Sequence, residues 1–278
     1  MESSLVTVNW LQKNLKNPNL IILDASATSN LAGKSSEFTG LHIPNARHFD
    51  LKKAFSDRSS VFPNTLPSGY QFEAEARKLG INSTSQIVVY DNLGIYNSPR
   101  VWWMFKVMGH KDVAVLDGGL PSWIKEGFKT ETTLSEASGE GSFCANFESN
   151  NVKSFDQVLA NLQHNDFIVL DARSTGRFYG AAPEPREGLS SGHIPGSCNL
   201  PFEEVLNDGF MKPKSELEFI FKHLNLEKKP IIFSCGSGLT ACIILLAAEI
   251  AIPNEKTLFD GSWTEWATNN SGPIEKNI

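Results

Sequence analysis

Cysteine is scarce in this chain. There are 4 in 278 residues, with none of the paired spacings of a disulfide framework or a zinc site. Positive charge is also short: 25 Lys and Arg stand against 31 Asp and Glu, for a net charge of -6. That balance offers no basic footprint, so neither nucleic acid nor a membrane surface is expected as a partner. No apolar run approaches the roughly 20 residues needed to cross a bilayer. The first residues lack the basic-then-apolar order of a secretory signal and the arginines of a transit segment. A cytoplasmic location is expected, with a mitochondrial pool left open, and a free thiol persists in such a reducing compartment. No metal or organic cofactor is expected. The rest of the composition, 41% hydrophobic and 20% charged, is that of a globular protein long enough for two domains.

What the chain does have is an internal repeat. Leu23-Asp24-Ala25 is answered by Leu170-Asp171-Ala172, each after an apolar run, and His42-Ile43-Pro44 by His193-Ile194-Pro195. Ile87 to Asp91 is answered by Ile231 to Cys235, and Asp117-Gly118 with Trp123 by Asp260-Gly261 with Trp266. The landmarks keep their order at offsets of 143 to 151 residues, which marks a duplicated domain. The stretch between the copies is rich in Ser, Glu, Gly and Asn, as a surface linker is. The expected division is a non-catalytic domain over 1–135, a linker over 136–150 and a catalytic domain over 151–278.

Within the first copy the patterning predicts strands at Leu20–Asp24, Gln86–Asp91 and Val113–Leu116. Helices are expected at Gly69–Leu79 and Arg100–Met108, with another beginning at Trp123. Strand–helix alternation implies an α/β fold with a parallel sheet covered on both faces. Ligands of such sheets bind at the carboxyl ends of strands.

One stretch carries the chemistry. Pro230 to Ser234 reads as a buried strand, and Leu239 to Ala251, apolar nearly all round, as a buried helix. Between them lie Cys235-Gly236-Ser237-Gly238. The glycines let the backbone turn and aim its N–H groups inward at a helix start, which favours an anion, and the Cys235 thiolate is the anion at hand. The first copy has Asp91 at the matching position. An aspartate is no sulfur nucleophile, and Asp91 is expected to cap the helix that follows. Cys242 and Cys198 read as buried and Cys144 as exposed. His42 and His193 recur in both copies, including the one without cysteine, so a structural role is expected for both.

The ordered set of motifs resembles the tandem rhodanese sulfurtransferases, of the mercaptopyruvate-using type. It comprises the two His-Ile-Pro stretches, Pro99 to Phe105, Asp117-Gly118-Gly119, Asp171-Ala172-Arg173 through Arg177 to Glu184-Pro185-Arg186, and Cys235-Gly236-Ser237-Gly238-Leu239-Thr240. The resemblance implies two rhodanese-like domains and a sulfur that passes from 3-mercaptopyruvate to Cys235 as a persulfide. Thioredoxin, other thiols or cyanide would then accept it, with pyruvate released. It assigns catalysis to Cys235 and Ser237, and donor binding to Arg177, Arg186, Gly236, Gly238, Leu239 and Thr240. Arg177 and Arg186 otherwise read as salt-bridging residues, and the Thr240 hydroxyl as one that bonds its own helix backbone. Arg173 is expected to pair with Asp171.

Relatives that use thiosulfate carry Arg and Lys after the cysteine, where this chain has the neutral Gly236 and Ser237. Relatives also carry an Asp and a His, in a relay with the loop serine, where this chain has Lys52 and Asn64. The relay is therefore not expected here. Lys52 reads either as added positive charge for an anionic donor or as a solvated lysine. A phosphatase loop would need an arginine at the sixth residue after the cysteine, and that residue is Ala241. A thiosulfate sulfurtransferase and a non-catalytic redox-sensing module are the remaining alternatives.

Overall fold

The computed structural model describes residues 1, 3–27, 33–226, 228–269 and 272–276. The chain divides into two compact units. The first comprises residues 1–58, 66–148 and 208–211, and the second residues 59–65, 149–207 and 212–278.

The first unit contains β1 (Leu5–Val6), α1 (Val8–Asn14), β2 (Leu20–Asp24), β3 (Ala46–His48), α2 (Gly69–Lys78), β4 (Gln86–Tyr90), α3 (Ser98–Val107), β5 (Val113–Leu116) and α4 (Gly119–Lys125). Its strands form a five-stranded sheet in the order β1-β5-β4-β2-β3, every pairing parallel. The second unit contains β6 (Val152–Lys153), α5 (Phe155–His164), β7 (Ile168–Asp171), α6 (Thr175–Tyr179) and β8 (Cys198–Asn199). The two-residue strands β9 (Leu206–Asn207) and β10 (Phe210–Met211) follow, the latter belonging to the first unit. Then come α7 (Lys214–His223), β11 (Ile231–Ser234), α8 (Ala241–Ala251), β12 (Lys256–Phe259) and α9 (Ser262–Thr268). The second sheet has the order β6-β12-β11-β7-β8, again parallel throughout, which is the first sheet repeated element for element.

The strands form where the apolar, β-branched runs predict them. Ile87, Val88 and Val89 of β4 and Ile231, Ile232 and Phe233 of β11 are fully buried, as central strands covered on both faces must be. Helix starts follow local chemistry. Thr7 and Ser68 accept N–H bonds from Trp10 and Gln71, and Ser154 forms a reciprocal capping box with Gln157. α8 is apolar on every side and is covered by β11, β12 and α7, with Ala241 through Ala248 all buried. Each large aliphatic side chain buried there contributes about 1.5–3 kcal/mol relative to exposure.

Some boundaries differ from the sequence reading. α8 starts at Ala241 rather than Leu239, because the turn from the left-handed Gly238 through Leu239 and Thr240 is closed by the tighter bonds of Cys242 N–H to the Leu239 carbonyl and Ile243 N–H to the Thr240 carbonyl. α3 starts two residues earlier than expected, with Pro99 in its first turn. α4 starts at Gly119 rather than Trp123, after a left-handed Gly118 at φ 72°. The stretch read as a surface linker holds a buried anchor, Phe143, which packs on Phe72 and Phe105. Cys144 is exposed and Cys242 buried, as expected, whereas Cys198 is only half-buried because it lies on the edge strand β8. The two repeated histidines hold their own units: His42 Nδ1 pairs with Asp24 at 2.7 Å, and His193 bonds the Phe178 carbonyl and stacks on its ring.

Asp91 ends β4 and is fully buried. Its Oδ2 accepts the N–H groups of Tyr96, Asn97 and Ser98 and the Ser98 hydroxyl, and its Oδ1 accepts the N–H of Leu93. It thus binds the N-terminus of α3, as expected, and fills the centre of its own loop. Burial pushes this carboxyl up from its ordinary value, and the bonds from Ser98, Tyr96 and Leu93 oppose the shift. Asp91→Ala leaves buried donors without an acceptor and is expected to destabilise the first unit by about 3 kcal/mol or more. Hydrogen exchange at Leu93, Tyr96, Asn97 and Ser98 measures this, and unchanged protection at these amides would refute it.

Candidate active site

The site lies at the carboxyl end of β11, the central strand of the second sheet. Cys235 follows the strand directly and is 1% exposed. The carbonyls of the loop turn back toward α9. Trp263 N–H donates to the Cys235 carbonyl at 2.9 Å and Thr264 N–H to the Gly236 carbonyl at 3.0 Å, with the Thr264 hydroxyl on the same oxygen at 2.6 Å. The first donors of α9, which have no partner within the helix, are satisfied in this way. Ser262 completes the hold. Its Oγ accepts the Cys235 N–H at 3.2 Å and donates to the Phe259 carbonyl at 2.8 Å, and it keeps a left-handed backbone at φ 50°.

A trans peptide points its carbonyl and its N–H in opposite directions. With the Cys235 and Gly236 carbonyls bonded to α9, the N–H groups of Gly236 and Ser237 face the other way, into the loop. Among the described residues, no protein acceptor meets the N–H groups of Gly236, Ser237, Leu239 or Thr240. Asp91 takes such donors in the first unit, but here they remain open to an anion. The glycines have separate tasks. Gly238 supplies the left-handed turn, while Gly236 leaves room for the guanidinium groups. A Cβ on Gly236 would come within 3.1 Å of Arg177 Nη2 and 3.8 Å of Arg186 Nη1.

The arginines are held by partners the sequence reading did not single out. Glu184, its side chain 1% exposed, accepts from Arg173 Nη1 at 2.8 Å and from Arg177 Nε at 3.1 Å and Nη2 at 2.6 Å. Arg173 pairs with Asp171, as expected, donates to the Gly192 carbonyl and lies over the Trp263 ring at 4.1 Å. Burial works against its charge, but Asp171 and Glu184 outweigh that and raise Arg173 above the usual guanidinium value.

Arg186 is different. Its bonds go to neutral hydroxyls, Thr264 Oγ1 and Ser237 Oγ, each at 3.2 Å. Burial pushes its pKa down; Arg177 adds to that, and the Cys235 and Glu184 charges oppose it. A half-buried cation without an ion pair among the described residues favours an incoming anion.

The structure therefore brings Cys235, Gly236, Ser237, Arg177 and Arg186 together. Leu239 is half-buried and offers its N–H. Thr240 stands at the N-cap of α8, and its hydroxyl makes no capping bond, so the self-bonding alternative does not hold. Sequence reasoning missed Glu184, Ser262 and Thr264, and set Asn64 aside. Asn64, in the 59–65 stretch of the second unit, donates to Ser237 Oγ at 3.0 Å and to the Ser237 carbonyl at 3.3 Å. Of these, Ser262 stands directly after the repeated Asp-Gly landmark, Glu184 lies within the matched motif, Asn64 holds the position of the relatives' relay His, and Thr264 had no signal. Among the described residues no cluster of His, Cys, Asp and Glu could hold a metal ion, and no helix is long and apolar enough to cross a membrane.

Comparison with known proteins agrees with this geometry. A family model described as a rhodanese-like domain matches twice, over residues 7–126 and 154–269. A thiosulfate/3-mercaptopyruvate sulfurtransferase of Arabidopsis thaliana is 40% identical over 98% of this chain and 78% of its own length. A 3-mercaptopyruvate sulfurtransferase of Escherichia coli is 38% identical over 97% of both chains. The crystal structure of SseA from Escherichia coli, a 3-mercaptopyruvate sulfotransferase by its description, superposes with a TM-score of 0.81 at 36% identity, covering 94% of this chain and 99% of that one. With the motif matched in both sheets and relatives aligned along nearly the whole chain, this protein belongs to the rhodanese family, in its tandem-domain form.

Proposed function

We propose that the chain is a 3-mercaptopyruvate sulfurtransferase that works through a Cys235 persulfide. The observation that carries this is Arg186, a half-buried cation whose guanidinium bonds only hydroxyls among the described residues, beside Gly236 and the N–H groups after Cys235 that no described acceptor meets. The donor carboxylate sits on Arg186 and the free edge of Arg177, and its sulfur faces Cys235 Sγ. The thiolate attacks that sulfur. An S–S bond forms, the C–S bond breaks, and the electron pair enters the pyruvate enolate, which then takes a proton from solvent. The open N–H groups and the guanidinium groups stabilise the negative charge as it moves from thiolate to enolate. An acceptor thiolate, such as that of thioredoxin, or cyanide attacks the outer sulfur and returns Cys235 to thiolate. Glu184 fixes Arg177 and cancels one of the positive charges at the site, which leaves charge suited to a monoanion.

The neutral Gly236 and Ser237 disfavour the dianion thiosulfate as donor. The test is the ratio of kcat/KM for 3-mercaptopyruvate and thiosulfate, with thioredoxin and cyanide as acceptors in parallel. A large preference for mercaptopyruvate is expected, and a preference for thiosulfate would overturn the reading of the loop.

Cys235→Ser is expected to abolish transfer while the fold remains, because an alkoxide does not form near neutral pH and the serine cannot carry a persulfide. Mass spectrometry after incubation with mercaptopyruvate should find one added sulfur atom on the Cys235 peptide of the natural chain and none on the variant. Transfer by the variant would sink the assignment. Arg186→Gln is expected to raise KM for mercaptopyruvate on the order of 10- to 100-fold, the worth of a charge-assisted bond. An unchanged KM would remove Arg186 from donor binding.

A further inference from the structure

Ser237 is 8% exposed, and its hydroxyl is enclosed by donors. A hydroxyl has one proton and two lone pairs. Arg186 Nη2 donates to one lone pair at 3.2 Å, and a guanidinium has nothing to accept with in return. Asn64 is the other neighbour, and which end of its amide faces Ser237 decides the outcome. The same Asn64 atom lies 3.0 Å from Ser237 Oγ and 3.3 Å from the Ser237 carbonyl oxygen. A carbonyl oxygen only accepts, so that atom is the nitrogen, and Asn64 therefore donates to Oγ as well. Both lone pairs are occupied. Among the described residues, no acceptor meets the Ser237 proton.

The stretch carrying Asn64 is built to present it. Ser60 Oγ bonds Thr65 Oγ1 at 2.8 Å and accepts the Phe62 N–H at 3.1 Å, and the Thr65 hydroxyl donates to the Phe62 carbonyl at 3.0 Å. Asn64 itself is left-handed at φ 61°, a conformation asparagine tolerates better than most residues.

We propose that Asn64 is a positioning residue which, together with Arg186, fixes Ser237 as an obligatory hydrogen-bond donor to the carbonyl oxygen of the bound sulfur donor. A freely rotating hydroxyl could present its oxygen to the developing enolate and repel it. With its lone pairs filled, Ser237 presents only a proton, and the bond strengthens as charge builds on that oxygen when the C–S bond breaks. Asn64 exchanges no proton in this role. The proposal rests on the mercaptopyruvate reading above.

The test is a double-mutant cycle of Asn64 and Ser237 on the full chain. Persulfide formation on Cys235 with mercaptopyruvate is measured first in the natural chain, and its absence would refute the functional reading rather than the role of Asn64. Asn64→Asp replaces the donor with an acceptor and draws the Ser237 proton to itself. It is expected to lower kcat on the order of tenfold, the worth of one such bond in the transition state. Any added repulsion of the anionic donor appears in KM, and equally with or without Ser237. In the Ser237→Ala background, the same substitution is expected to change kcat by less than about twofold, since there is then no hydroxyl to orient. Asn64→Ala, which only frees the hydroxyl, is expected to give a smaller kcat loss that also vanishes in the Ser237→Ala background. If Asn64→Asp does not fold, this variant decides. An unchanged kcat in the Asn64 variants, or an equal loss with and without Ser237, would overturn the proposal.

Discussion

The orientation of two peptide planes governs the site. The Cys235–Gly236 and Gly236–Ser237 peptides are held by their carbonyls against Trp263 and Thr264, so the direction of their N–H groups is decided by a helix that comes after the next strand. The first unit uses the same hold, for Leu120 N–H donates to the Asp91 carbonyl at 3.0 Å. The framework that aims donors into the loop is thus common to the two units. What differs is the group inside: a carboxylate that fills the ring of donors in one unit and a thiol that leaves it open in the other. The contrast also accounts for the residue types, since a fixed acceptor suits a permanent scaffold while a nucleophile needs room for a second molecule.

Charge is arranged with equal economy. Arg173, Arg177, Asp171 and Glu184 form a chain of ion pairs whose members orient one another, and Arg173 is further held over the Trp263 ring. Such a network costs desolvation and earns its place through geometry more than through stability. Arg186 stands outside it. The network sets where Arg177 lies, and the hydroxyls of Thr264 and Ser237 set where Arg186 lies, so the loop is faced by one guanidinium that is compensated and one that is not.

Much of this was legible in the sequence, and the part that was not has a common cause. Strands such as Ile231–Ser234 appear as apolar runs, the duplication appears as repeated landmarks, and the Cys235 loop announces itself by glycine between a strand and a helix. Asp91 was readable as a cap and Asp171–Arg173 as a couple because each acts on near neighbours. Glu184 was quoted within a motif, but its hold on two arginines exists only once the 180–192 loop folds back over α6. Asn64 reaches Ser237 from 173 residues away, and no local pattern reports such a contact. Gly238 betrayed the turn, but the tighter first bonds at Leu239 and Thr240, which delay the start of α8, follow no apolar pattern.

Cys235 is 1% exposed, and burial of that degree selects the reactants of its sulfur by size. A bulky disulfide cannot present itself to a sulfur so enclosed. In the persulfide proposed above, the departing atom is the terminal one, about 2 Å farther along the chain of bonds than Sγ. In the proposed cycle, then, the sulfur that is given away is the outer one, and the sulfur that lasts through every cycle is the buried one.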